Sequence, residues 1–203
     1  MTTKIKFCGL TRREDIETVN ELKPDYIGFV FAEKSRRFIA PDDAEKLKKL
    51  LDPAIQAVGV FVNKEAEAVA ELLNRNIIDI AQLHGDEDEA YIARLRTLTG
   101  KPVIRAFRMD TAAVLDTAAS CPADHILLDS GAGSGRTFNW QLLANMTRPY
   151  FLAGGLSPEN AEEAVRTLHP FALDVSSGIE TDGIKDRTKM AAFITAVKRG
   201  ELS

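Results

Sequence analysis

Three side chains have types suited to moving protons. Cys8 offers a thiol, and Asp129 and Asp174 offer carboxyls. A thiolate can take a proton from carbon, and a carboxyl shielded from water can deliver one. Each also has a plainer reading. Cysteine commonly fills cores, and an aspartate at a strand end commonly orders a turn or caps a helix. Their shared placement sets them apart, because each closes or nearly closes a short apolar run: IKFCG, HILLDS and ALDVSSG.

Two glycine-bearing segments suggest what such groups would act on. LAGGLSPEN (152–160) ends an apolar run in Gly154 and Gly155 and leads into a helical stretch. DVSSGIETDG (174–183) passes through Ser177 and Gly178. Backbone N–H groups in such turns, with a helix N-terminus behind them, can hold a phosphate dianion without a lysine. Both segments also read as simple tight turns. GAGSGRT (131–137) lacks the Gly-Lys-Ser/Thr ending of a nucleotide loop and is expected to be a glycine loop beside the site. His84 ends another run, but no second ligand stands at metal-binding spacing, so no metal is expected. Cys121, before Pro122, reads as an incidental loop thiol.

The elements that would position these groups alternate along the chain. Apolar runs at 5–9, 26–31, 57–62, 79–84, 102–107, 125–130, 150–155 and 172–178 read as strands buried on both faces. Amphipathic stretches lie between them. Val69, Leu72 and Leu73 share one helical face, as do Met190, Phe193, Ile194 and Val197. Thr11 with Glu14 reads as a capping box, and Ser157-Pro158 as an N-cap followed by the first helical residue. Eight β-then-α units fit a closed (β/α)8 TIM barrel in one compact domain, residues 1–203; a doubly wound open sheet would share the rhythm. In a barrel, Ile5 and Phe7 facing the helices turn Lys4, Lys6 and Cys8 inward. The same parity sends Asp129 and Asp174 inward at the C-terminal rim, where barrels keep their chemistry. Arg36 and Arg37 follow the second strand on that rim.

Composition narrows the partners. Lys+Arg 26 against Asp+Glu 30 leaves a net charge of −4 with no basic stripe, so nucleic acid is not expected. No signal-peptide core or bilayer-length apolar run appears, and two cysteines make no disulfide scaffold. These features suit a reduced, cytoplasmic protein acting on a small molecule, as monomer or homodimer.

Taken together, KFCGLT, GFVFAEKSRRFI, VGVFVN, AQLHGDE, LLDS, GSGRTFNW, AGGLSPEN and FALDVSSGIE resemble the signature blocks of the phosphoribosylanthranilate isomerase family, in order from residue 6 to residue 180. The resemblance implies an Amadori rearrangement of tryptophan biosynthesis, with N-(5-phosphoribosyl)anthranilate as substrate and 1-(2-carboxyphenylamino)-1-deoxyribulose 5-phosphate as product. It implies Cys8 as general base and Asp129 as general acid. It places the anthranilate carboxylate on Arg37, Asp174 near the anthranilate nitrogen, and the phosphate on Gly154, Gly155, Ser177 and Gly178. No cofactor is implied, since no electrons leave the substrate. Such chemistry asks for an Asp129 pKa raised by burial and a Cys8 pKa lowered by neighbouring cations or dipoles. Phe7, Ala132 and Asn139 depart from the usual blocks. The histidine-pathway isomerase would need a second aspartate in place of Cys8, and indole-glycerol-phosphate synthase a lysine and glutamate set. A non-catalytic phosphometabolite binder would need neither Cys8 nor Asp129.

Overall fold

The computed structural model describes residues 2–109, 111, 113–131, 140, 143 and 146–202. The loop at 131–137 beyond Gly131, with Ala132 and Asn139, lies outside the described residues. The first half of the chain runs β1 (Lys4–Cys8), α1 (Arg13–Leu22), β2 (Tyr26–Val30), α2 (Pro41–Lys48), β3 (Gln56–Phe61), α3 (Ala66–Asn74), β4 (Ile80–Leu83) and α4 (Glu89–Leu98). The second half adds β5 (Val103–Arg108), α5 (Ala113–Ser120), β6 (His125–Asp129), β7 (Tyr150–Ala153), α6 (Ala161–Leu168) and β8 (Ala172–Val175). A 3-10 turn (Ser177–Ile179), a two-stranded antiparallel ribbon of β9 (Glu180–Thr181) and β10 (Ile184–Lys185), and α7 (Arg187–Glu201) follow. Strands β1 to β8 pair in parallel in sequence order, and β8 returns to β1, closing the barrel. The open-sheet alternative is thereby excluded.

Closure gives every strand residue one of two environments. Ile5, Phe7, Ile27, Phe29, Ile126, Leu128, Leu173 and Val175 join a cluster with the helix residues Ile16, Val19, Val69, Leu73 and Phe193. That is the layer between barrel and helices. Tyr26, Val58, Ile80, Ile104, Leu127, Phe151 and Ala172 form a separate cluster inside the barrel. Cys8 belongs to a third, small cluster with Val30 and Val60. The alternation turns Lys6, Cys8, Asp129 and Asp174 into the lumen, as the parity of the strands predicts. The helices follow their apolar stripes. Val69, Leu72 and Leu73 of α3 are buried, as are Met190, Phe193 and Val197 of α7.

Chain turns differ in detail from the sequence reading. The helix α1 is closed by Asp15, not Glu14: its carboxylate accepts from the backbone N–H of Thr11 and Arg12 and from the Arg12 guanidinium. Asp15 is buried whereas Glu14 is exposed, so only Asp15 can turn back on the chain end. Ser157 and Pro158 open a turn one step before α6; the helix starts at Ala161 after Asn160, whose side chain accepts from the Ser157 N–H. Strands β7 and β8 stop at Ala153 and Val175, two and three residues before their expected ends. The glycines and serines beyond them leave the ladder and form the rim loops. Cys121 lies outside helix and strand, as expected, and is buried, its carbonyl accepting from Arg148. No helix among the described residues is long and apolar enough to cross a membrane.

Candidate active site

Neighbouring strands bring the inward polar groups together by register. Lys6 of β1 is paired with Asp174 of β8, and the two side chains meet with Lys6 Nζ 2.6 Å from Asp174 Oδ2. Lys6 is fully buried, where an unpaired ammonium would cost several kcal/mol. Its second donor goes to Gln82 Oε1 of β4 at 2.8 Å. Cys8, two residues further along β1, faces the same side of the strand, close enough for the ammonium's charge to reach it. Gly28, across the ladder, makes this close approach possible. A Cβ at that position would stand 2.6 Å from the Cys8 sulfur.

On the far side of the mouth, Asp129 ends β6. Its Oδ1 accepts from the Gly131 N–H at 2.9 Å, and its Oδ2 lies 3.3 Å from His84 Nε2. Gln82 Nε2 is 3.0 Å from His84 Nδ1. The chemistry of lysine orients this chain. An ammonium has no acceptor, so Gln82 must present its oxygen to Lys6 and its NH2 group to His84. His84 Nδ1 therefore accepts, and the ring carries its proton on Nε2, aimed at Asp129. A line of polar contacts thus spans the lumen, hydrogen-bonded from Asp174 through Lys6 and Gln82 to His84 and closed by the 3.3 Å contact of His84 with Asp129.

His84, which the sequence offers only as a metal ligand, is brought into this line by the fold. Its parity with Gln82 at a strand end was the available signal. Glu87 holds the loop that carries it, accepting from the Gly85 N–H at 2.8 Å and the Asn63 N–H at 2.7 Å. Among the described residues no group of three or more His, Cys, Asp or Glu side chains could hold a metal ion.

Arg37 lies over Gly9, where a Cβ would stand 2.3 Å from its Cδ. Its fork is engaged by Glu180: Nε meets Oε1 at 2.6 Å and Nη2 meets Oε2 at 2.8 Å. Lys185 donates to Glu180 Oε1 at 2.6 Å and to the Ser176 carbonyl at 2.9 Å. Ser176 in turn donates to the Cys8 carbonyl at 2.9 Å, tying the β8 loop to the end of β1. Glu180 and Lys185, adjacent in the β9–β10 ribbon, were not singled out from the sequence. Nothing in their spacing tells a buried ion pair from a solvated one.

The loops after β7 and β8 lean on each other. Gly154 and Gly155 have φ of 91° and 62°, a conformation that suits glycine. A Cβ on Gly154 would also stand 2.6 Å from Asp129 Oδ1, so that glycine shapes both a loop and the carboxylate's surroundings. A Cβ on Gly178 would fall 1.9 Å from the Leu156 carbonyl oxygen. Ser177 starts the 3-10 turn and is exposed on the rim.

The electrostatics of the free protein run opposite to the expectation from the sequence. Burial pushes the Cys8 thiol up, and Asp174 adds to it; Lys6 and Lys185 pull down without winning. Burial also pushes Asp129 up, but the donors of His84 and Gly131 and the nearby charge of Arg108 outweigh it, leaving it below the usual carboxylate range. The reason is specific to each neighbourhood. Cys8 is cut off from water, whereas Asp129 is met by donors.

The chain matches the family described as N-(5'-phosphoribosyl)anthranilate (PRA) isomerase over residues 5–196. The N-(5'-phosphoribosyl)anthranilate isomerase of Endomicrobium trichonymphae is 46% identical, over 96% of this chain and 98% of that one. The crystal structure of phosphoribosyl anthranilate isomerase from Thermotoga maritima superposes with a TM-score of 0.88 at 36% identity, covering 97% and 99% of the two chains. A phosphoribosyl anthranilate isomerase crystallised with reduced 1-(o-carboxyphenylamino)-1-deoxyribulose 5-phosphate superposes with a TM-score of 0.87 at 35% identity, covering 97% of this chain and 99% of that one. This TIM barrel, with a thiol and a carboxylate inward at the same rim, belongs to the N-(5'-phosphoribosyl)anthranilate isomerase family.

Proposed function

We propose that this protein converts N-(5-phosphoribosyl)anthranilate to 1-(2-carboxyphenylamino)-1-deoxyribulose 5-phosphate, with Asp129 as general acid and Cys8 as general base. The observation that carries the assignment is the opposed pair of ends: a thiol on β1 and a carboxylate on β6, both turned into the mouth. In the first step Asp129 gives its proton to the ribose ring oxygen as the C1–O bond breaks and an imine forms. Cys8 then removes the proton from C2, and the resulting enol-amine tautomerises to the ketone. No electrons leave the substrate, so the step balances internally.

Arg37 would bind the anthranilate carboxylate with its planar fork. Glu180 already fills two of its donors, so the substrate would share or displace that contact. Asp174 would accept from the anthranilate N–H. Its Oδ1 supports this, because it is buried with no hydrogen-bond partner among the described residues. A buried acceptor left without a donor is costly, and a ligand N–H would remove the cost. Gly154, Gly155, Ser177 and Gly178 would cradle the phosphate through their backbone.

The test is an isomerase assay that follows loss of phosphoribosylanthranilate fluorescence. Wild type should turn over, and folded Cys8→Ala and Asp129→Ala should each lose about 10²–10⁴-fold in kcat. Turnover by wild type that survives either substitution would refute that residue's role. A folded wild type that binds the substrate without converting it would instead be a phosphometabolite binder.

A further inference from the structure

Lys6 is the one fully buried lysine of the described core, and substrate binding gives it no role. An ammonium has three donors. Asp174 Oδ2 takes one at 2.6 Å and Gln82 Oε1 takes another at 2.8 Å. Both partners are themselves buried, so the nitrogen is anchored on two sides of the lumen. The Cys8 thiol stands two residues on along the same face of β1, toward the mouth. We propose that Lys6 is a positioning residue for proton abstraction: its anchored ammonium directs its third N–H at the Cys8 sulfur and serves as the counter-charge when the thiolate forms. The inference rests on the assignment of Cys8 as base.

The surroundings of Cys8 make this a specific claim. Lys6 on β1, Asp174 on β8, Lys185 on β10, and Arg37 with Glu180 at the rim all bear on it. Glu180 bonds both Arg37 and Lys185, and so holds two of the three cations. Lys6 has Asp174 alone as its carboxylate, and that carboxylate acts against the thiolate. Lys6 is accordingly the largest influence favouring the ionised sulfur, and Asp174 the charged group opposing it. Its place beneath the thiol also keeps it away from the open mouth, so it assists without competing for the substrate. Through Gln82 the same nitrogen also sets the His84 tautomer that faces Asp129.

The test titrates the Cys8 thiol by iodoacetamide alkylation across pH, in a Cys121→Ser background. Lys6→Met should raise the midpoint by about one pH unit or more, and lower kcat about tenfold or more with KM little changed. Should Lys6→Met fail to fold because Asp174 is left unpaired, Asp174→Asn and the double variant Lys6→Met/Asp174→Asn carry the same comparison. Asp174→Asn should move the midpoint below that of wild type, and the double variant above it. Equal midpoints with and without Lys6 would overturn the proposal. Turnover by Cys8→Ala would instead refute the base assignment, while the thiol titration would still report whether Lys6 acts on the sulfur.

Discussion

The barrel interior has two halves that the same strands build in different chemistry. The lower half is an apolar and aromatic plug. Tyr26 and Phe151 rings meet edge-on at 5.4 Å, and His125 stacks on Phe171 at 5.5 Å. The upper half holds Lys6, Gln82, His84, Asp129 and Asp174 in one line of polar contacts. Strand β6 runs through both: His125 below, Leu127 in the middle, Asp129 at the top. The two histidines show what the difference does. Burial lowers the His125 pKa, and the ring serves as a flat packing surface. His84 is oriented by Gln82 so that Nε2 faces Asp129 at 3.3 Å. Rigidity below lets charge be concentrated above, because a packed floor keeps water away from the underside of Lys6 and Cys8.

Breaking the floor should cost the most stability. Phe151→Ala removes a fully buried ring and should destabilise by about 3–5 kcal/mol in urea unfolding. The kcat of the molecules that stay folded should change little; a thousandfold fall in kcat would mean the halves are not separable.

Glu180→Gln strikes the rim instead. It leaves Arg37 and Lys185 without their carboxylate, but Arg37 is partly exposed, so the loss should lie between that of a buried and a surface pair, about 1–3 kcal/mol. Substrate KM should change as well, since Arg37 is freed to move. Unchanged stability and KM would show the cluster to be dispensable.

Gly178→Ala tests the loops alone. The added Cβ collides with the Leu156 carbonyl, so the β7 and β8 loops must part, and KM should rise about tenfold while kcat is largely kept. Inorganic phosphate should inhibit this variant correspondingly less. A fall in kcat with unchanged KM would place the phosphate elsewhere.

The smallest expected effect is a flat line. Under the proposed acid–base assignment, the productive free enzyme needs Asp129 protonated and Cys8 ionised, yet the free site favours the reverse on both. The productive fraction then stays constant between the two pKa values. It falls only below the depressed Asp129 value and above the raised Cys8 value. A kcat/KM profile flat from about pH 5 to about pH 8 is expected. A limb near neutrality would show that one of the two groups titrates elsewhere.

Much of this was legible in the chain order of residues. Eight apolar runs and the helical stripes between them specify strands and helices, because burial on two faces and on one stripe leave different periodicities. Parity alone turned Cys8, Asp129 and Asp174 into the lumen, since side chains of a strand must alternate. Short-range turn chemistry was less legible. Asp15 and Glu14 are neighbours of the same type, and only contact with the chain end separates them.

The sequence by itself determined the elements, their alternation and which residues share a face, because those depend on local stereochemistry and hydrophobic period. Only the tertiary structure decided the charges. Lys6 meets Asp174 across 168 residues of chain and Gln82 across 76, and Arg37 meets Glu180 across 143. It also decided the direction of the two pKa shifts. Burial and donated hydrogen bonds oppose one another at both Cys8 and Asp129, and the winner depends on distances that no stretch of sequence contains.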